Sequence, residues 1–514
     1  MLVLPDKKAI ILKLSDPTKI TSIIPTAKEI EVRGARLVAV PHRFEETKVL
    51  RNLGFQVPAP ILYQYDWPGR FTPYDHQRMT AAFLTMHHKG IVLNQIGTGK
   101  TNSALWAADY LMKNKKIRKC LIVSPLSTLE RVWGDAIFTG FPNRLFTVLH
   151  GAAERRKRLL RNNVDFYIIN HDGLSVILND CRGMFDLVIV DEAAVLRNPS
   201  TARYKAVKKV MEGNPTARLW LMTGTPTPNE PTDAWALAKL VESPMLTKGY
   251  TAFRDEVMMR VGQWRYLPRP NSPEIVSNVL TPSVLYTREE CLDLPDTVFH
   301  AREAAMTKEQ QAHFDKMIKH FVVETQQNTI TAVNEAVKLQ KLIQIACGVA
   351  YDDLGNHVEL DCSPRVQLVK DIIEEVEGKV IVFVPLTGTL NLLERELSKI
   401  YTVGVVNGAV SATKRNQIFH DFQHTSDPRI LIAHPATMAH GLTLTAASTI
   451  VWYGPVNSNE IYTQANGRIE RIGKRHAANV FHIEATRIER AVYERLKNKQ
   501  TLQGVLLDML RTER

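Results

Sequence analysis

The chain has 514 residues, more than one hydrophobic core normally serves, and its 45% hydrophobic content is ample for two or three domains. Its 65 Lys and Arg against 53 Asp and Glu leave a formal charge of +12, which favours a polyanionic partner such as nucleic acid. Cys120, Cys181, Cys291, Cys347 and Cys362 are odd in number and scattered, which excludes a disulfide framework and a cysteine metal site; no apolar run reaches the ~20 residues of a membrane span, and Asp6, Lys7 and Lys8 break the start before a leader-like core forms. A cytoplasmic protein without a membrane partner is expected, a monomer by default.

Residues 1–70 hold strand-like pieces such as AIILKL and RLVAVP and several cations, Lys7, Lys8, Lys13, Arg33, Arg36, Arg43 and Lys48. They read as a small accessory domain that either binds DNA or braces the neighbouring lobe. Next, IVLNQIGTGKT, Ile91 to Thr101, joins a buried strand to a helix in which Ala104, Leu105, Ala108, Leu111 and Met112 recur at helical spacing. Between them lie Gly97, Thr98, Gly99, Lys100 and Thr101. Glycines let successive N–H groups turn toward an anion, the helix adds its positive end, Lys100 reaches outer phosphates and the Thr101 hydroxyl can ligate magnesium. This is a phosphate-binding loop, with ATP and Mg2+ expected. Asn94 stands where such loops begin with glycine or alanine.

Further candidate strands in this half are CLIVS, DFYIIN, FDLVIVD and RLWLMTGT. The run FDLVIVDEAA ends its strand on Asp191 and Glu192, at the edge where a parallel sheet meets its ligand. Asp191 can hold magnesium through water, and Glu192 can orient or deprotonate the attacking water. In LMTGTPTPN, hydroxyls of Thr223 and Thr225 follow the next strand. Residues 71–245 form the ATP-binding lobe on this reading, and 246–300, with LPRPNSP at Leu267, a connector with insertions.

Residues 301–514 repeat the alternation with KVIVFV, YTVGVV, RILIAH, TIVWYG and NVFHIE, a second parallel sheet, and end in a bracing helix, Arg487 to Arg511, with Ala491, Leu496, Leu502, Leu506 and Leu510 on its packing face. Within it QANGRIERIG places Arg468 and Arg471 three apart, so that on one helix face they project together toward a γ-phosphate. The fold class is α/β.

These motifs, in this order, resemble the superfamily 2 helicase-type ATPases and, among them, the Swi/Snf-type DNA translocases. TPYDHQ resembles the adenine-reading motif with Gln77 as its glutamine; CLIVSPLSTLERVW, with Ser124, Pro125 and Trp133, and INHDGL resemble the next two segments of the family. TGTPTPNEPTDAWALAKLV is close to the third motif, with Asn229, Trp235 and Leu237 in register. LQKLIQIACGV resembles the helix opening the second lobe, and AHGLTLTAASTIVWYGPVNSNEIYTQANGRIERIGK the fifth and sixth motifs, with Gly441, Leu442, Leu444 and Thr445. The resemblance implies two RecA-like lobes in tandem, Gln464 beside the nucleotide, and a shared groove that tracks a DNA backbone through Ser124, Thr223, Thr387, Asn407 and Thr445. It implies an ATP-driven translocase on double-stranded or branched DNA. DEAA replaces the usual DEGH or DEAH, and the absence of remodeller inserts points to a bacterial or bacteriophage enzyme, placing it in the host cytoplasm in the latter case. A strand-separating DNA or RNA helicase, or a nucleotide-gated DNA-binding module with little turnover, are the alternatives.

Overall fold

A computed structural model describes residues 1–498 apart from 33, 70–71, 263–265, 292–296, 328–331, 352–356, 439–443 and 470–477. The chain divides into two compact units, the first built mainly from residues 1–291 and the second from residue 292 onward.

The first unit begins with a four-stranded antiparallel sheet of Leu2–Leu4, Ala9–Leu12, Ala35–Pro41 and Lys28–Val32, in that spatial order. Alternation turns Ile10, Leu12, Val38 and Val40 inward, where Ile20, Ile24, Leu50 and Val57 close a small core. The segment after it does not stand apart. Phe44, Ala59, Ile61 and Tyr65 belong to the larger core of the next sheet.

That larger sheet has seven strands, in spatial order Ser283–Val284, Lys89–Val92, Arg218–Met222, Leu187–Asp191, Cys120–Ser124, Phe166–Asn170 and Phe146–Val148. Every pairing is parallel. Helices cover both faces, so the central strands are apolar almost throughout, as Leu187, Val188, Ile189 and Val190 show. Parallel pairing also brings all carboxyl ends to one edge. There the chain leaves Lys89–Val92 and re-enters the sheet at Cys120–Ser124, past two intervening strands, which opens a crevice.

The second unit holds a six-stranded parallel sheet in the order Val298–Glu303, Asn479–Glu484, Ala447–Trp452, Lys379–Phe383, Ile430–Ala433 and Val403–Val406. The expected tandem of α/β lobes is therefore present. Ser283–Val284 lies inside the stretch read from sequence as a connector and Val298–Glu303 begins in it, yet each is the edge strand of a sheet, one in each unit. Beneath the second sheet Arg365 is fully buried; it donates to the carbonyls of Ala346 (2.7 Å), Ile483 (2.9 Å) and Tyr453 (3.0 Å) and to Glu489 Oε1 (2.6 Å). The helix Arg487–Lys497 packs through Ile488, Val492 and Leu496, while Leu502, Leu506 and Leu510 lie outside the described residues.

Candidate nucleotide-binding site

The strand Lys89–Val92 and the helix Lys100–Lys113 flank the phosphate loop as the sequence requires. Gly97 and Gly99 both have positive φ, 89° and 82°, conformations that side chains with a Cβ resist. Gly99 has a second reason to lack one. A Cβ there would sit 2.1 Å from Gln77 Nε2.

Gln77 is held tightly. It lies in the first turn of the helix Asp75–Met86, where its Oε1 accepts from the Tyr74 N–H at 3.1 Å and its Nε2 donates to the Thr98 carbonyl at 3.1 Å. The neighbouring His76 Nε2 also bonds that carbonyl, at 2.9 Å. One hydrogen and one lone pair of the Gln77 amide remain for a ligand. Lys100 turns back on its own loop, with Nζ 2.8 Å from the Asn94 carbonyl and 3.1 Å from that of Gln95. Arriving phosphates would draw it off these neutral acceptors, since an ammonium bonds an anion more strongly.

Asp191 ends its strand two places across the sheet from the phosphate-loop strand. Its Oδ2 accepts from Trp133 Nε1 at 3.0 Å and its Oδ1 from the Glu192 N–H at 3.1 Å. Burial pushes its carboxyl above the usual range, opposed by the Trp133 N–H and the Lys100 cation. The Asp191 carbonyl is bonded by His171 Nε2 at 2.9 Å. A carbonyl only accepts, so this nitrogen carries the proton, and burial holds the ring neutral with a pKa of about 4. Glu192 comes next with φ 50° and ψ 49°, a left-handed conformation that costs a non-glycine residue about 1–3 kcal/mol. The sharp turn aims consecutive carboxylates differently.

The loop fits a nucleotide triphosphate: glycine at the crowded position, a lysine, and a helix start facing the crevice. Magnesium needs little more, because it keeps water and phosphate oxygens as ligands; Thr101 and Asp191 are the protein groups suited to it. Among the described residues no cluster of three His, Cys, Asp or Glu forms a dedicated metal cage.

Residues 68–347, more than half of the chain, match the SNF2-related domain, and residues 364–473 match the helicase conserved C-terminal domain. The chain belongs to the SNF2-related family. It is 26% identical to a phage protein, putative protein p41 of Acyrthosiphon pisum secondary endosymbiont phage 1, over 86% of this chain and 99% of that one. It is 25% identical to an uncharacterized ATP-dependent helicase of Mycoplasma genitalium, with 80% of this chain and 40% of that one covered. An ATP-dependent DNA helicase of Arabidopsis thaliana is 24% identical over 81% of this chain and 59% of its own. The SNF2-related chain thus spans the full phage protein but about half the length of the two longer relatives.

Within the second unit, the local structure around Arg468 differs from expectation. The helix Asn459–Asn466 stops before the arginines, and Arg468 lies in the turn beyond its Gly467 cap, so the shared helix face predicted for Arg468 and Arg471 does not include Arg468. Arg468 is 2% exposed, and Arg471, like Gly441 and Leu442, lies outside the described residues. Gln464 is also buried; its Nε2 bonds Glu460 at 3.3 Å.

Of the residues named as DNA-backbone contacts, Ser124 and Thr223 are fully buried at the ends of central strands, so neither hydroxyl faces solvent. Thr223 Oγ1 accepts from the Thr225 N–H at 3.1 Å. Thr387, first residue of its helix, is exposed; Asn407 and Thr445 are half-buried, engaged with the Ala409 N–H and Gln423 respectively. In the basic helix Ala153–Leu160, Arg156 is spent on Gly151 and Asn170, while Arg155 and Arg158 point outward. Trp133 and His171 stand in the sequence only as members of family motifs, without a role. Their hydrogen bonds to Asp191 supply one.

Proposed function

We propose that this chain is a motor that hydrolyses ATP to ADP and phosphate, with magnesium, and couples the cycle to movement on double-stranded DNA, remodelling forks, branches or bound proteins. The observation that supports it most is the convergence at one sheet edge of Gly99 beneath Gln77, Lys100 in reach of the loop, and the consecutive Asp191 and Glu192.

Each group has a task in this reading. Gln77 reads the adenine edge through its remaining hydrogen and lone pair, the loop N–H groups and Lys100 hold the phosphates, and Thr101 with Asp191 holds magnesium, which neutralises phosphate charge when bound. Glu192 orients the attacking water and takes its proton. Gln464, Arg468 and Arg471 are assigned to the nucleotide from the second lobe, the arginines to the charge that develops on the γ-phosphate. The charge of +12 and the likeness to an Arabidopsis DNA helicase support DNA as the track.

The test is ATP hydrolysis without nucleic acid and then with duplex DNA, single-stranded DNA and RNA, with Lys100→Ala as the blank. Stimulation by duplex that vanishes in the variant is expected. Stimulation by single strands or RNA alone would replace the translocase by a strand-separating helicase, and ATP binding without turnover would leave a nucleotide-gated binding module.

A further inference from the structure

The residue that departs from the phosphate-loop pattern, Asn94, is 1% exposed and is bonded to a different helix. Its Nδ2 donates to Thr80 Oγ1 at 2.8 Å. Thr80 gives its own hydroxyl hydrogen to the His76 carbonyl at 2.7 Å, so it can only accept from Asn94, which fixes the orientation of the amide. Asn94 Oδ1 is left buried with no hydrogen-bond partner among the described residues. A buried orphan acceptor is costly, so a residue retained with one needs another reason to be there.

The reason lies in where the two tethers meet the loop. Thr80 holds its first residue, Asn94; one turn earlier on the same helix, His76 and Gln77 hold the carbonyl of Thr98 near its end. Within the loop, Thr98 Oγ1 bonds the Gln95 carbonyl at 2.8 Å. Both ends of the phosphate cradle are therefore fixed to the one helix that carries the base-reading glutamine. Glycine or alanine at position 94 would leave the first end free of that helix.

We propose that Asn94 is a positioning residue that couples base recognition to phosphate binding: through Thr80 it locks the cradle in register with Gln77, so that a nucleotide seats its phosphates in the loop and its base against Gln77 together only when that base is adenine, while phosphates without a base bind the loop independently of the tether. This rests on the ATP site proposed above. It would make the chain more selective for adenine than a loop starting with glycine.

The experiment measures dissociation constants of ATP, GTP and inorganic triphosphate for the full chain, with Asn94→Ala, Thr80→Val, both together, and Thr80→Ser. One hydrogen bond sets the scale at about fivefold. The preference for ATP over GTP should fall about fivefold in each single variant, fall no further in the double, and survive in Thr80→Ser, which keeps the hydroxyl; triphosphate affinity should not change. An unchanged preference in Asn94→Ala, whatever its melting temperature, overturns the proposal, as does a loss of triphosphate affinity in step with ATP. Wild-type protein that binds neither ATP nor GTP would instead remove the nucleotide site itself.

Discussion

Trp133 donates its indole N–H to Asp191 Oδ2 across 3.0 Å, tying a π-helical turn, Leu129–Gly134, to the end of a neighbouring strand. Such turns are rare and tend to mark functional positions, and this one places the only N–H of the indole on a carboxylate whose pKa burial raises and this bond lowers. Replacing Trp133 by phenylalanine keeps most of the packing and removes the donor. A hydrogen bond to a charged group contributes about 1.5–3 kcal/mol, so turnover should fall about tenfold or more. The Asp191 carboxyl should also ionise later, moving the acid limb of the pH–rate profile upward. An unmoved limb would show that Trp133 only packs.

Glu192 holds a strained backbone at the position proposed to activate the attacking water. Glycine relieves a positive φ, whereas alanine retains it, and both remove the carboxylate. Glu192→Gly should therefore be more stable than Glu192→Ala by about 1 kcal/mol in urea unfolding, with both inactive in hydrolysis and both still binding ATP. Equal stabilities would mean that the backbone relaxes when the side chain goes.

Arg365 and Glu489 form a fully buried ion pair whose arginine also serves three carbonyls from separate parts of the second lobe. Removing one partner strands a buried charge, so Arg365→Met should cost about 3–5 kcal/mol. Lysine should restore little, since one ammonium cannot span acceptors in several directions. Chemical unfolding of the second lobe reads both; a loss under about 1 kcal/mol would refute the account.

Two buried histidines predict acid sensitivity. Burial holds His171 down to about 4 and His482, stacked on Tyr493 at 4.1 Å and near the Lys497 cation, down to about 3. Unfolded histidine titrates near 6.5, so between these values the unfolded chain binds more protons and stability rises with pH. The contribution is complete above about pH 6.5, is lost progressively as pH falls below that value, and is gone by about pH 4 for His171 and pH 3 for His482. At pH 5 each lobe should have lost about 2 kcal/mol relative to pH 7 from its histidine. Urea midpoints that coincide at the two pH values would contradict this.

The central strands are legible in the sequence because parallel strands covered on both faces are continuous apolar runs, as in FDLVIVD and KVIVFV. Phe146–Val148 and Ser283–Val284 are not, because they are edge strands of three and two residues; Val298–Glu303 is not, because all six of its positions are exposed or only partly covered. In the site, Gly99, Lys100, Asp191 and Glu192 announce themselves by chemistry and spacing. The bonds from Asn94 to Thr80 and from Trp133 and His171 to Asp191 cross between elements, and spacing along the chain holds no record of them. The helix end at Asn466 escapes because Gly467 reads as readily within a helix as after one.

The edge strand Ser283–Val284 also orders events during synthesis. The outer edge of Lys89–Val92 finds its partners in Pro282, Val284 and Tyr286, the last of which accepts from the Gln95 N–H at the start of the phosphate loop. A growing chain therefore exposes the bare flank of its nucleotide-binding strand until Tyr286 has left the ribosome, although every motif of the first lobe has already been made. Polypeptides ending near residue 245 would retain that open edge and the tendency to aggregate that accompanies it.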